Sequence, residues 1–142
     1  MRDHKKYFVD TNVFLRVIVK ENRSLFQDSW DFLSLVKQGH ITACTSNLVL
    51  SEINWVLSSF YKFNKQQVIQ ALESILNLKN LKINDKHDSF LSIDLYKKHK
   101  VKFVDCLIAS NEIFQKDTVI VSYDKDFDKL GVVRVEPGNF TN

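Results

Sequence analysis

Proline and glycine are scarce in this chain, with one proline and three glycines among 142 residues. A linker that divides a chain into separate domains usually contains runs of such residues, and the sequence has none. The length and a hydrophobic share of 44% are sufficient for one self-sufficient core. We therefore expect a single domain over residues 1–142, with an ordered core from about residue 7 to residue 136.

Cysteines and long apolar runs are also few. Cys44 and Cys106 are too few for a disulfide framework, and neither has the spacing of a zinc ligand. They are typical of reduced core residues in a cytoplasmic protein. The polar N-terminus differs from a signal peptide, and no apolar run reaches membrane-spanning length. We expect no membrane partner, and the formal net charge of +3 permits a polyanionic one.

Strand-like and helix-like segments alternate along the chain. Short β-branched and aromatic runs predict strands at residues 7–9, 41–45, 81–83, 118–122 and 132–135. Apolar residues at helical spacing predict helices between these strands, with N-caps at Ser24, at Ser46 or Asn47, and at Asn64. The last predicted helix covers residues 104–114. This alternation predicts an α/β fold with a central, mostly parallel sheet of four to five strands and helices on both faces.

Four acidic residues lie where these strands end or where the next helices begin. Asp10 ends the first strand, and Asp124 follows the fourth. Glu52 lies in the third helix, and Asp105 opens the last helix. Strand ends and the following helix starts share one edge of a parallel sheet, so we expect the four acids to converge. Such a cluster needs a cation, and oxygen ligands favour Mg²⁺ or Mn²⁺ over zinc.

Four short stretches surround these acids. They are residues 8–13 (FVDTNV), 50–52 (LSE), 103–109 (FVDCLIA) and 121–127 (VSYDKDF). In order and approximate spacing the set resembles the PIN-domain family, the fold of many bacterial and archaeal VapC toxins. The resemblance covers nearly the whole chain and implies that the four acids are the catalytic metal ligands. It also implies supporting roles for Thr11, Asn12 and Ser122.

The resemblance implies an activity and partners as well. The activity is that of a Mg²⁺- or Mn²⁺-dependent endoribonuclease that leaves 5′-phosphate and 3′-hydroxyl ends on transfer, ribosomal or messenger RNA. A small antitoxin restrains such toxins by binding across the groove that contains the acids, and the toxins usually form homodimers. The expected dimer contact is formed by helices of the first half, with Phe14, Phe26 and Trp30 as apolar surface or, equally, as core.

Several of these residues also fit simpler structural roles. Asp10 and Asp105 fit helix caps or first-turn acids, and Glu52 fits a solvated helix face. Asp126 fits a water-mediated metal contact, and fits a turn-stabilising role better. Trp30 and Trp55 fit core positions better than base-stacking platforms.

A basic stretch precedes Asp105. Its lysines fit an RNA-binding track, although a solvated face is the more usual meaning of a charge run. The four lysines are Lys97, Lys98, Lys100 and Lys102.

Three other functions compete with the nuclease. A haloacid-dehalogenase-like phosphatase needs a second aspartate two residues after Asp10, where this chain has Asn12. A receiver-like phosphorylation module lacks an obvious strand-end lysine. A non-catalytic PIN-like module that binds RNA or a protein would not need all four acids, since a buried acid cluster without metal contributes nothing to folding.

Overall fold

The structure is a computed structural model, and it describes residues 6–84, 86–111 and 119–140. The chain forms two compact units, one ending at Lys86 and the other beginning at His87. The single domain predicted from the sequence therefore stays a prediction.

The first unit contains a three-stranded parallel sheet and four helices. Its elements are β1 (Lys6–Phe8), α1 (Thr11–Val19), α2 (Arg23–Lys37), β2 (Thr42–Thr45), α3 (Asn47–Ser59), α4 (Lys65–Leu76) and β3 (Leu81–Ile83). The strand order is β1-β2-β3, with Tyr7 paired to Ala43 and Cys44 paired to Lys82. The side chain of Thr45 donates to the carbonyl of Val9 at 3.0 Å, which ties the end of β2 to the residue before Asp10.

Local capping explains where two of these helices begin. The Asn64 side chain accepts from the Gln67 N–H at 2.9 Å, and the Gln67 side chain accepts from the Asn64 N–H at 2.9 Å, which confirms the predicted cap of α4. The predicted Ser24 cap of α2 is wrong. Asn22 takes the extended backbone conformation and accepts from the Leu25 N–H at 2.9 Å, so the helix begins earlier, at Arg23.

The core of the first unit is aliphatic. The fully buried side chains of α2, α3 and α4 include Val36, Leu50, Ile53, Leu57, Val68, Leu72 and Leu76. Phe14 is also core, at 2% exposure. The predicted core positions of Trp30 and Trp55 are wrong, since these side chains are 51% and 65% exposed. Both lie on amphipathic helices, where a large residue at the edge of the apolar stripe stays at the rim of the core.

The second unit is built from two helices, two strands and two short 3₁₀ helices. Its elements are α5 (Lys86–Lys98, which begins at the boundary), α6 (Phe103–Ser110), β4 (Val119–Val121), a 3₁₀ helix (Lys125–Lys129), β5 (Val133–Val135) and a 3₁₀ helix (Pro137–Phe140). Strands β4 and β5 are parallel, with Ile120 paired to Arg134. A small core joins α6 to the first 3₁₀ helix through Cys106, Ala109, Phe127 and Leu130.

All five predicted strands have observed counterparts, and every strand pairing in the described part of the chain is parallel. One sheet of four to five strands is not confirmed, because hydrogen bonds in the described ranges join three strands in one sheet and two in another. Residues 112–118, which include the predicted end of the last helix and the start of the fourth strand, lie outside the described residues. Across the described ranges, no helix combines the length and apolar character needed to cross a membrane.

Candidate functional site

Three carboxylates meet in the second unit. One oxygen from each of Asp105, Asp124 and Asp126 lies within 4.8 Å of the others. Asp105 is in the first turn of α6 and is 6% exposed, while the other two are half-buried. Oxygen ligands at this spacing suit a hard divalent cation.

Asp105 is held in this position by its neighbours in α6. Phe103 and Cys106 on the same helix are buried in the core, so the Asp105 side chain is enclosed with them. Its Oδ2 atom is buried and has no hydrogen-bond partner among the described residues. A buried carboxylate oxygen without a partner is costly, and a bound cation would satisfy it.

Electrostatics around Asp105 support the same interpretation. Burial raises the pKa of the Asp105 carboxyl, and the nearby charges of Asp124 and Asp126 raise this pKa further. Lys102, at the N-cap position of α6, acts in the opposite direction. The local field therefore favours a proton or a cation at this cluster.

A series of polar turns places Asp124 and Asp126. The Ser122 hydroxyl accepts from the Asp124 N–H at 3.0 Å, and the Asp124 side chain accepts from the Asp126 N–H at 2.9 Å. The turn-stabilising role considered for Asp126 is thus taken by Asp124. The Asp126 carboxylate also lies 3.7 Å from the Lys129 ammonium group.

Arg134 was not among the residues predicted from the sequence. Its guanidinium group donates to the carbonyl of Ser122 at 2.9 Å and to the Asp128 carboxylate at 2.9 and 3.2 Å. A single arginine in a short strand forms no motif. No sequence signal could have identified it.

Asp10 and Glu52 belong to the first unit, and both are exposed. Asp10 occupies the N-cap position of α1, but within the described part of the chain its side chain makes no capping hydrogen bond. The hydroxyl of Thr11, which is 2% exposed, donates to Glu52 Oε2 at 2.7 Å. Thr11, the residue after Asp10, is therefore linked to the Glu52 carboxylate. The next residue, Asn12, is exposed.

The structure thus brings together Asp105 and Asp124 of the four predicted acids, and it adds Asp126 to them. The convergence of all four acids, with Asp10 and Glu52 included, stays a prediction. For Asp126 the sequence predicted a supporting position, with a turn-stabilising role favoured over a water-mediated metal contact.

The basic stretch before α6 is exposed at all four predicted lysines. Lys98 forms an exposed i,i+4 ion pair with Asp94 at 2.9 Å, which is typical of a solvated helix face. Lys102 differs from it, because its charge acts on Asp105. The RNA-binding role of Lys97, Lys98, Lys100 and Lys102 stays a prediction, and of these four it is Lys102 whose charge lowers the pKa of Asp105.

Comparisons with known proteins add independent information. The chain matches the family model of the PIN domain over residues 7–133. It is also 26% identical over 129 residues to a VapC ribonuclease of Aquifex aeolicus (strain VF5), with 91% of this chain and 95% of that protein covered. No solved structure matches the chain. The range matched by the family model contains all the acids discussed above.

Asp105→Asn should stabilise the metal-free protein at neutral pH. The folded state raises the pKa of Asp105 above its usual 3.8, so the folded protein binds this proton more tightly than the unfolded chain does. Stability therefore falls as the pH rises from 3.8 through the raised value. The substitution removes this loss of stability. The free energy of unfolding of the variant should exceed that of the parent at neutral pH, and the difference should vanish below the usual pKa of Asp105.

Thermal melts in chelator across this pH range measure the effect. Asp94→Asn, which removes an acid from an exposed ion pair in the same unit, should give no such gain. A loss of about 3 kcal/mol or more in Asp105→Asn would instead show a structural carboxylate.

Proposed function

Because this chain belongs to the PIN-domain family, we propose that it is a Mg²⁺- or Mn²⁺-dependent endoribonuclease and the toxin of a toxin–antitoxin pair. The observation that carries the proposal is the cluster of Asp105, Asp124 and Asp126 around a buried carboxylate oxygen without a partner. The similarity to a protein named VapC ribonuclease supports RNA as the substrate. We propose that it acts in the cytoplasm, since two buried cysteines are too few for the disulfide framework of a secreted protein.

The residues of the cluster fit the implied metal. Asp105, Asp124 and Asp126 would hold it, since they offer three carboxylate oxygens within 4.8 Å and their charges repel one another without a cation. Asp10 and Glu52 are proposed to complete the ligand set, on the strength of the family motifs. When bound, such an ion activates water and neutralises charge on a phosphate.

The proposed reaction is hydrolysis of an RNA phosphodiester. Water adds to phosphorus and the bond to the 3′-oxygen breaks, which leaves a 5′-phosphate and a 3′-hydroxyl. Glu52, held by the Thr11 hydroxyl, is suited to orient the attacking water. Exposed Lys102 offers a cation for a backbone phosphate near Asp105.

The non-catalytic alternative is a PIN-like module that only binds RNA or protein. Such a module would bury the Asp105 oxygen at a cost to folding and gain nothing from it. No observation favours this alternative, and none favours a phosphatase.

A second copy of the chain is the proposed partner at the α2 surface. An apolar cavity of about 260 Å³ in the first unit is lined by Trp30, Leu33 and Ile75 among others. Trp30 is 51% exposed and stacks on Phe26 with ring centroids 5.9 Å apart. Phe14, although it lines the cavity, is 2% exposed and contributes little contact surface. A small antitoxin is proposed to bind elsewhere, across the groove with the acids.

Mg²⁺ or Mn²⁺ should raise the melting temperature of the parent protein. By linkage, a metal concentration of about a hundred times Kd adds about 2.7 kcal/mol to the free energy of unfolding. Asp124→Asn should reduce this gain, because it removes one ligand charge. Asp94→Asn removes an equal charge outside the cluster and should keep the full gain. Parent melts that do not shift at millimolar metal would count against the metal site.

Asp10→Asn and Glu52→Gln should each lower the rate of RNA cleavage by ~10²-fold or more, because each weakens charge stabilisation in the transition state. The measurement is cleavage of a structured RNA pool with Mn²⁺, followed by end-group analysis. The parent should leave 5′-phosphate ends. Ends with a 2′,3′-cyclic phosphate, or full cleavage in chelator, would contradict the mechanism.

Trp30→Glu should convert the proposed homodimer to a monomer. A charge at this exposed position is costly to bury in an apolar contact. Sedimentation equilibrium at micromolar concentration measures the mass, with 16.6 kDa expected for the monomer. Trp55→Glu, at a tryptophan on α3 that is 65% exposed, should leave the dimer intact. A parent protein that sediments as a monomer would exclude the dimer.

A further inference from the structure

One arginine side chain joins several parts of the second unit. Arg134 lies in the middle of β5, and its side chain is only 11% exposed. Its Nε and Nη2 atoms donate to the two Asp128 oxygens at 2.9 and 3.2 Å. Its Nη1 atom donates to the Ser122 carbonyl at 2.9 Å and to Glu136 Oε1 at 3.1 Å. The guanidinium group thus binds acceptors from three places in the chain at once.

Two of these contacts lie at the ends of the segment that carries the cluster's carboxylates. Ser122 follows β4, Asp128 lies in the 3₁₀ helix, and Asp124 and Asp126 stand between them. Inside the segment, the Asp124 N–H donates to the Ser122 hydroxyl, and the Asp126 N–H donates to the Asp124 side chain. The position of Asp126 therefore depends on that of Asp124, which depends on that of Ser122. Fixing both ends therefore restricts where the two carboxylates can point.

The strands themselves do not need these contacts. Strands β4 and β5 are already paired through their backbones, and the Ser122 N–H donates to the Val135 carbonyl at 2.9 Å. The side-chain bonds of Arg134 are additional to this pairing, and they reach into the following segment. A nearly buried arginine costs solvation free energy, which the two carboxylates and the carbonyl offset.

We propose that Arg134 is a positioning residue for the acidic cluster. It holds Asp124 and Asp126 near Asp105 against the mutual repulsion of the three carboxylates. This inference rests on the proposed function, because it assigns a purpose to the cluster as a metal site. We call the contacts of Arg134 with Ser122, Asp128 and Glu136 the clamp. Without this clamp, the like charges would push the segment away from α6. Residues that orient metal ligands from behind typically change metal affinity by about 10- to 100-fold when substituted.

Two variants break the clamp from opposite sides. Arg134→Lys keeps the charge but loses the planar fork, since an ammonium group cannot reach all four acceptor atoms. Asp128→Asn keeps Arg134 and removes the charge of its bidentate partner. Asp94→Asn is the matched control, because it removes the same charge from an exposed ion pair in the same unit.

The first readout is Mn²⁺ affinity, measured by titration calorimetry on the full chain below its melting temperature. We expect Arg134→Lys to bind Mn²⁺ about 10- to 100-fold more weakly than the parent does. Asp128→Asn should be affected in the same direction, and Asp94→Asn should match the parent.

The second readout needs no metal. Amide hydrogen exchange in the metal-free protein should accelerate at Asp124 and Asp126 in both clamp variants, while the amides of α6 keep the parent's rates. Faster exchange throughout the chain would show general destabilisation and overturn the positioning role. Parent-like exchange at Asp124 and Asp126 in both variants would overturn it as well, as would parent-like Mn²⁺ affinity. A parent that binds no Mn²⁺ would refute the proposed function, and the exchange rates would still decide whether Arg134 orders the segment.

Discussion

Asp105 is buried in the first turn of α6 beside the carboxylates of Asp124 and Asp126, an arrangement that costs folding free energy unless a proton or a cation is present. The cost is tolerated because Phe103 and Cys106 anchor the same helix in the core. The hydroxyls of Ser92 and Ser110, 2.6 Å apart and buried, join that helix to α5. The packing of the second unit thus keeps this buried carboxylate in place, as the proposed metal site requires.

Neutral or positive groups form hydrogen bonds with the acids or with the backbone that carries them. Thr11 holds Glu52 in the first unit, and Ser122 and Arg134 hold the segment of Asp124 in the second. These contacts leave the carboxylates available to a ligand while limiting their movement. In the proposed nuclease, preorganised charge of this kind would lower the cost of reaching a highly charged transition state, because little rearrangement remains to be done.

Local features were the most predictable from the sequence. The cap at Asn64 follows from an asparagine with a glutamine three residues on, and both hydrogen bonds form within one turn. The cap at Asn22 was missed because Ser24 and Gln27 form an equally good local pattern, and the backbone conformation at Asn22 decided between them. The two exposed tryptophans were misplaced for a different reason. Helical periodicity finds the apolar stripe, but neighbouring elements decide which edge of that stripe they cover.

The sequence by itself determined the alternation of strands and helices, the parallel pairing, and the identity of the family, because these depend on short periodic patterns and on four motifs in order. It also identified Asp105 and Asp124 as members of one cluster. Only the tertiary structure decided that Asp126 joins them, that one oxygen of Asp105 is buried without a partner among the described residues, and that Arg134 reaches Ser122. These features depend on side chains that meet across strands and turns, and no local pattern encodes such distances.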